Sequence, residues 1–165
     1  MNHPLNNTDK VTTNIKHFNI RVYGIIINAK NEVLISDEYL MDMKMTKFPG
    51  GGLRFGEGTL DCIKREAVEE FGQEIDIIRH YYTTDFFQKA LFYEDHQLIS
   101  IYYLARFTRP PVFPTSKKPY DFEMVNGSQS FRWYLLERIS PDLMTFPVDK
   151  IVAEMLKDDF NQGLL

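Results

Sequence analysis

Residues 51–73 read GGLRFGEGTLDCIKREAVEEFGQ, and the interpretation of the whole chain starts from this stretch. It opens on a run of glycines, where the backbone turns through conformations that other residues adopt only at a cost. Over residues 58–71 the apolar side chains recur at helical spacing, and Gly72 follows as a stop signal. The pattern therefore predicts a glycine loop that leads directly into an amphipathic helix.

Three glutamates in this segment stand at helical positions i, i+3 and i+4: Glu66, Glu69 and Glu70. Since consecutive helical residues are about 100° apart, the three carboxylates share one face of the helix. Like charges at this spacing destabilise a helix by about 0.2–0.5 kcal/mol per pair. A hard divalent cation such as Mg²⁺ or Mn²⁺ turns this repulsion into binding. On the three residues alone, however, a solvated acidic surface is the commoner explanation.

The spacing of the surrounding charged and glycine residues outweighs that explanation. Residues 51–73 resemble the Nudix box, Gly-x5-Glu-x7-Arg-Glu-U-x-Glu-Glu-x-Gly-U, in which U is an aliphatic residue. Every glycine and charged position of the box is matched, by Gly51, Glu57, Arg65, Glu66, Glu69, Glu70 and Gly72. Ala67 is an acceptable small residue at a U position, whereas Gln73 departs from the final aliphatic position. The departure concerns packing behind the helix and leaves the acidic residues intact.

The resemblance implies an activity and a metal site. Nudix enzymes hydrolyse a phosphoanhydride bond in a nucleoside diphosphate linked to another moiety, by attack of water on phosphorus. By resemblance, the expected ligands of Mg²⁺ or Mn²⁺ are carboxylates and one backbone carbonyl, supplied by Glu66, Glu69, Glu70 and Gly50. The role of general base falls to Glu66 or Glu70, and the sequence leaves this choice open.

The resemblance also assigns roles to residues around the glutamates. Arg65 and Glu57 match positions that form an orienting ion pair, so Arg65 joins the three glutamates in the expected catalytic set. For Glu57, a direct metal role and a purely structural clamp are both open. Gly51 and Gly52 are expected to bind substrate, because glycine lets the backbone approach a metal or a phosphate closely.

The rest of the chain predicts a mixed α+β fold. Strands are expected at residues 18–28, 32–36, 75–87, 98–107 and 131–136, the first two as a hairpin, with a last helix at residues 148–159. This order is similar to the Nudix α/β/α sandwich, in which a mixed central sheet lies between the box helix and a C-terminal helix. Residues 1–14 are polar and aperiodic and predict a loose N-terminal tail, which leaves residues 15–165 as a single Nudix hydrolase domain.

Composition narrows the functional classes. A net charge of −4 argues against a nucleic acid partner, which requires a basic surface. The single cysteine, Cys62, excludes an internal disulfide and is expected to pack in the core, since no histidine has the spacing of a catalytic pair. The sequence contains no apolar window of about 18 residues, so no membrane span is expected. The N-terminus lacks the pattern of a signal peptide. The expected location is the cytoplasm, and the expected partner is a small-molecule nucleotide derivative.

Several points stay open at the level of sequence. A non-catalytic nucleotide-binding Nudix domain that acts as a ligand sensor is the alternative to an enzyme, although the complete set of box glutamates favours catalysis. Glu123 stands roughly where many relatives supply an extra acid, but a surface position is the better expectation. A homodimer is expected because many family members pair and this chain is rich in Phe and Tyr. One aromatic residue after the box could stack on a nucleobase, from the set Tyr81, Tyr82, Phe86, Phe87, Phe92 and Tyr93.

Overall fold

The computed structural model describes residues 14–165, so the predicted N-terminal tail, residues 1–14, lies outside this range except for its last residue. The helices and strands follow in the order β1 (His17–Ile26), β2 (Glu32–Leu40), β3 (Met43–Lys47), β4 (Gly50–Gly52), α1 (Thr59–Phe71), β5 (Ile75–Thr83), β6 (His96–Phe107), β7 (Ser128–Leu135) and α2 (Pro147–Asn161). Two short 3₁₀ turns, Leu136–Arg138 and Pro141–Leu143, connect β7 to α2.

The strands form two sheets. The first has four strands in the order β4-β1-β6-β5, and its central pair, β1 and β6, is parallel, with Arg21 opposite Ser100. Its two outer pairs are antiparallel, so this sheet is mixed. The second sheet, β3-β2-β7, is antiparallel throughout. The predicted α+β class with a mixed central sheet is therefore confirmed.

Strand β1 is buried on both faces, and this places one helix on each side of the first sheet. Because side chains alternate along a strand, Val22 and Ile26 pack in one core and Tyr23 and Ile25 in another. The first core contains the buried residues of α1, Cys62, Ile63, Ala67 and Phe71. The second contains the buried apolar residues of α2, Val148, Val152, Ala153 and Leu156. The result is the predicted sandwich of a sheet between the box helix and the C-terminal helix.

The predicted hairpin of the first two strands is wrong. Residues 28–31 do form a turn, in which the Asn28 side-chain oxygen accepts hydrogen bonds from the backbone N–H groups of Lys30 and Glu32. Beyond one bridge, Ile27 to Val33, however, the strands separate into different sheets. Each strand instead pairs with a partner distant in sequence, β1 with β6 and β2 with β7. Local spacing carries no information about such partners.

Two strands were not predicted, and the ends of two others differ by four residues from the predicted ones. Strand β3 follows β2 through a two-residue turn at Met41 and Asp42, with φ values of 51° and 60°. Tight hairpins of this kind usually carry Asn or Gly, and this turn carries neither, so the sequence gives no hairpin signal there. Strand β4 consists only of glycines, which are poor strand formers. Strand β5 ends at Thr83 rather than residue 87, and β2 extends to Leu40.

No helix in residues 14–165 combines the length and the apolar character needed to cross a membrane.

A buried carboxyl group joins α2 to the central sheet. The Tyr102 hydroxyl on β6 donates a hydrogen bond of 2.8 Å to Asp149 Oδ1 in the first turn of α2. Both side chains are almost fully buried, with 1% exposure each. Burial raises the pKa of Asp149 to about 7, against the lowering effect of the Tyr102 hydrogen bond. The carboxyl group is therefore protonated in the native protein over much of the acidic range.

Replacing Asp149 with asparagine should change how stability depends on pH. An unfolded aspartate has a pKa of about 3.9, so between about pH 4 and pH 7 the native protein holds a proton that the unfolded chain releases. The free energy of unfolding therefore falls as pH rises through this interval. Asp149→Asn lacks this contribution. Its free energy of unfolding, relative to that of the parent, should therefore rise by about 1–4 kcal/mol from about pH 4 to about pH 8.

Urea unfolding of the parent and of Asp149→Asn at about pH 4 and about pH 8 measures this change in the free energy of unfolding. The matched control is Asp158→Asn, which removes an exposed carboxyl group from the same helix. A pH dependence that is the same in the two variants and the parent would contradict the assignment of a protonated Asp149.

Candidate active site

The glycine run of residues 50–52, called the glycine loop below, forms strand β4 and pairs closely with β1. Gly50 has φ = 137°, and a Cβ atom there would overlap the Val22 carbonyl oxygen and lie 2.8 Å from the Tyr23 Cα atom. A Cβ atom on Gly51 would overlap the carboxylate of Glu66. Residues 50–52 pair with β1 in antiparallel register, Gly51 opposite Val22. The absence of side chains thus lets this loop lie between β1 and the acidic face of α1.

Helix α1 turns its apolar side to the sheet and its charged side to the loop. It starts after Gly58, and Gly72 follows its last residue. The φ angle of Gly72 is 64°, and its backbone N–H donates to the Val68 carbonyl at 2.9 Å. This glycine cap satisfies one of the carbonyls left open at the helix end. Because the opposite face is packed in the core, Arg65, Glu66 and Glu69 face away from the core.

Arg65 connects the loop to the helix through five hydrogen bonds to oxygen. Its Nε and Nη2 atoms donate to the two carboxylate oxygens of Glu57 at 3.0 and 2.7 Å, and Nη2 also donates to the Gly52 carbonyl at 3.0 Å. Its Nη1 atom donates to Glu66 at 2.5 Å and to Glu69 at 3.2 Å. The hydrogen bonds from Arg65 lower the pKa of Glu57 to about 2. Arg65 and Glu57 thus form the expected ion pair, and both carboxylate oxygens of Glu57 are engaged in it.

Glu70 is the buried carboxylate of the site. Its Oε1 atom accepts a hydrogen bond of 2.9 Å from Gln129 Nε2 on β7. Its Oε2 atom is buried and has no hydrogen-bond partner among residues 14–165. Burial raises the pKa of Glu70 to about 7, while the ammonium group of Lys47 and the Gln129 hydrogen bond lower it. A buried oxygen without a partner destabilises the native state unless a ligand engages it.

Glu66, Glu70 and the three glycines Gly50, Gly51 and Gly52 line one cleft of about 320 Å³. The second sheet closes its other side with residues that the sequence did not single out, Glu38, Lys47 and Gln129. Lys47 Nζ contacts Glu38 at 2.8 Å and the Gly50 carbonyl oxygen at 3.3 Å. These residues escaped prediction because β3 was not recognised and because only tertiary pairing brings β2 and β7 to the box.

The structure separates Glu69 from the other two glutamates. Its carboxylate accepts hydrogen bonds from Arg54 at 3.1 Å and from Arg65 at 3.2 Å, and its side chain is 46% exposed. No group of three His, Cys, Asp or Glu side chains within the described range is arranged to enclose a cation. Mg²⁺ and Mn²⁺, however, often take only one or two carboxylates and complete their shell with water and phosphate oxygens. The hard oxygen donors of Glu66, Glu70 and Gly50 fit such an ion.

Other residues considered at the level of sequence lie apart from the cleft. Cys62 is fully buried in the core beneath α1, as expected for a packing residue. Glu123 is exposed in the segment before β7 and does not line the cleft. Tyr81 and Tyr82 donate hydrogen bonds to Asp159 and Asp85. Of the six aromatic candidates, only the following two line a cavity beside the cleft: Phe92 and Tyr93.

That second cavity, called the chamber below, lies between the two sheets and has a volume of about 220 Å³. Its walls are mostly apolar and include Leu40, Met45, Phe92, Tyr93, Leu98 and Tyr102. Polar groups also line it, among them Asp149 and Gln88, whose buried Oε1 atom has no partner within residues 14–165. The chamber and the cleft share four residues, Arg21, Glu38, Leu40 and Lys47, so the two cavities adjoin.

Comparison with solved structures shows the same fold in several proteins. The E. coli ORF135 protein aligns with a TM-score of 0.63 and 15% identity over 88% of this chain and 93% of that one. A MutT protein from work on Aliivibrio salmonicida and Vibrio cholerae aligns with a TM-score of 0.60 and 21% identity over 86% and 98%. An ADP-ribose pyrophosphatase from Streptococcus suis aligns with a TM-score of 0.54 and 16% identity over 88% and 91%. At these identities the similarity shows a shared fold and nothing about substrate.

The sequence itself matches a family description. No curated protein sequence matches the chain significantly. The family described as NUDIX domain matches residues 17–155, which extend from β1 into α2 and include the complete box. The resemblance read from the box is thereby confirmed, and the chain belongs to the Nudix family.

Proposed function

We propose that this protein hydrolyses a phosphoanhydride bond in a nucleoside diphosphate linked to another moiety, with Mg²⁺ or Mn²⁺ as cofactor. The observation that carries the proposal is the Glu70 carboxylate, whose buried Oε2 atom lacks a partner within residues 14–165 and which lines the cleft with Glu66 and the glycine loop. A buried carboxylate oxygen without a partner, beside a second carboxylate, is costly in a protein without a ligand. A divalent cation would remove this cost.

The proposed roles follow from the contacts of each residue. Glu66, Glu70 and the Gly50 carbonyl would hold the cation, which supplies positive charge against the phosphate oxygens and makes water more acidic. Either Glu66 or Glu70 would accept the proton of the attacking water. The water oxygen would then bond to phosphorus while the bridging P–O bond breaks and its electrons leave with the second phosphate. Arg65 and Glu57 would keep the loop and helix in register.

Glu69 is proposed as a further ligand that reaches the cation by rotating its side chain. Its present partners are Arg54 at 3.1 Å and Arg65 at 3.2 Å. The Arg54 side chain is 61% exposed, and ion pairs at such surfaces contribute about 0–1 kcal/mol. The electrostatic attraction between the Glu69 carboxylate and a divalent cation beside a polyphosphate would exceed this amount. The ion pair with Arg54 therefore does not prevent Glu69 from taking part.

The chamber supports a nucleotide derivative as the substrate class. Its apolar and aromatic walls suit a planar base, and the partnerless Gln88 Oε1 atom suits an N–H donor of such a base. A diphosphate in the cleft and a base in the chamber would be held together across their shared wall. The cytoplasmic location, the homodimer and the single domain spanning residues 15–165 remain predictions alongside this proposal.

Hydrolysis should require added divalent metal. Clustered carboxylates repel a polyphosphate unless a cation lies between them, so chelation with excess EDTA should abolish turnover and excess Mg²⁺ or Mn²⁺ should restore it. A panel of nucleoside triphosphates, nucleotide sugars and dinucleoside polyphosphates, with products separated by chromatography, provides the measurement. Full activity after exhaustive chelation would exclude the proposed site, and nucleotide binding without turnover of any panel member would favour the ligand-sensor alternative.

Replacing one carboxylate by the isosteric amide should slow turnover while preserving the fold. Glu66→Gln, Glu69→Gln and Glu70→Gln should each lower kcat about 10²-fold or more, the upper range for loss of a metal ligand or of a general base. Steady-state kinetics at saturating metal and unfolding curves measure both effects. Glu74→Gln, at an exposed position just after the helix, is the matched control and should keep its rate. A near-normal rate in Glu69→Gln would show that this residue belongs only to the solvated face.

Reaction in ¹⁸O-labelled water should place the label in a phosphate group of a product. The expectation follows from the complete set of box glutamates, which would activate water beside the diphosphate rather than beside a sugar carbon. Mass spectrometry of the two products locates the label, and incubation of unlabelled products with the enzyme controls for later exchange. Label on a sugar hydroxyl group, with unlabelled nucleoside diphosphate, would instead show attack on carbon.

A further inference from the structure

Arg21 lies at the junction of the cleft and the chamber. Along β1, Asn19, Arg21 and Tyr23 all line the chamber, as expected for alternate residues of one strand. Of these three, only Arg21 also lines the cleft that contains Glu66 and Glu70. A molecule that occupied both cavities would therefore pass this side chain.

A buried network holds Arg21 from one side. Its Nε atom donates a hydrogen bond of 2.7 Å to the Tyr23 hydroxyl oxygen. The Tyr23 ring stacks on Tyr102 with a centroid distance of 5.1 Å, and the Tyr102 hydroxyl is bonded to the buried Asp149. Tyr23 and Tyr102 are 4% and 1% exposed, so the support on which Arg21 rests is rigidly packed. The guanidinium group is thus oriented before any ligand arrives.

The charge of Arg21 is not matched by a contacting carboxylate. Within residues 14–165 its Nη1 and Nη2 atoms donate no hydrogen bond, and no carboxylate lies within salt-bridge distance of it. Glu38 and Glu66 are near enough to act on it electrostatically without contact. The neighbouring cations differ in this respect, since Lys47 is paired with Glu38 and Arg65 with Glu57 and Glu66. Arg21 is therefore the cation of this wall with two donor groups available to a ligand.

We propose that Arg21 binds the substrate phosphate nearest the nucleoside, and so positions the nucleotide part of the substrate with its base in the chamber. This inference rests on the proposed function. A cation held by Glu66, Glu70 and Gly50 would neutralise phosphate within the cleft, whereas a phosphate at the junction with the chamber would meet Arg21. A planar guanidinium with two free NH2 groups suits two phosphate oxygens at once.

Binding without metal separates this role from catalysis. Isothermal titration calorimetry in excess EDTA compares the 5′-monophosphates of adenosine, guanosine, cytidine and uridine with the corresponding nucleosides. In the parent protein at least one monophosphate should bind more tightly than its nucleoside. A charge-assisted hydrogen bond to phosphate corresponds to about 10- to 100-fold in affinity, and Arg21→Gln should lose most of that preference.

Two further variants make the result specific. Arg21→Lys keeps the charge but not the fork of donors, and it should restore part of the preference. Arg106→Gln removes a positive charge from an exposed position on β6 and should bind like the parent. In turnover assays on whichever panel substrate the parent hydrolyses, Arg21→Gln should raise KM more than it lowers kcat.

Each outcome decides for or against Arg21. Loss of the phosphate preference in Arg21→Gln, with partial rescue in Arg21→Lys, supports the proposal. An unchanged preference in Arg21→Gln overturns it, as does the absence of monophosphate binding by the parent protein. If the parent hydrolyses a panel substrate and Arg21→Gln leaves its KM unchanged, the proposal fails while the proposed function stands. If the parent hydrolyses no panel substrate, the proposed function fails, while the calorimetry still decides whether Arg21 binds the phosphate.

Discussion

The close approach of the glycine loop to β1 is the constraint on which the site depends. Gly50 presses against the backbone at Val22 and Tyr23, and Gly51 faces the carboxylate of Glu66. A side chain at either position would push the loop away from the strand or from α1. With the loop in place, its carbonyl groups and the glutamates of the helix reach the same cleft. The loop and the helix thus act as one unit, and Arg65 joins them through Gly52 and Glu57.

Some carboxylates of the site contact a positively charged side chain, and one does not. Arg65 neutralises Glu57 with good hydrogen-bond geometry, and it also contacts Glu66. Glu70 has no such partner, because Lys47 is bonded to Glu38 and to the Gly50 carbonyl. Burial therefore dominates the behaviour of Glu70 and raises its pKa to about 7. Functional sites are where proteins tolerate such unfavourable groups, since ligand binding compensates for them.

The space between the two sheets provides what the box alone lacks. The box supplies carboxylates and glycines, which are suited to metal and phosphate but not to a particular organic group. The chamber adds apolar walls, the partnerless Gln88 oxygen and the buried Asp149. Arg21 stands where the two regions meet. Under the proposed function, selection among substrates would therefore depend on the chamber residues of β1, β2, β3, β6 and the start of α2, and not on the box.

The family, the box helix and the mixed α+β class are all predictable from the amino-acid sequence. These follow from local spacing: the glycines and charges of residues 51–73, the helical recurrence of apolar residues and the stop at Gly72. It also identified the residues of the Arg65 and Glu57 ion pair, because the resemblance covers both positions. Each of these features depends on residues within about two dozen positions of one another.

Which distant strands pair with each other is visible in the folded chain and not in its sequence pattern. The parallel pairing of β1 with β6 in one sheet and the antiparallel pairing of β2 with β7 in the other bring Arg21, Glu38 and Gln129 to the cleft. This pairing also keeps β1 and β2 from forming the predicted hairpin. Pairing between strands that are far apart in the sequence depends on burying both faces of β1 and on how side chains pack in the two cores. These are properties of the packed chain, which spacing along the sequence does not encode.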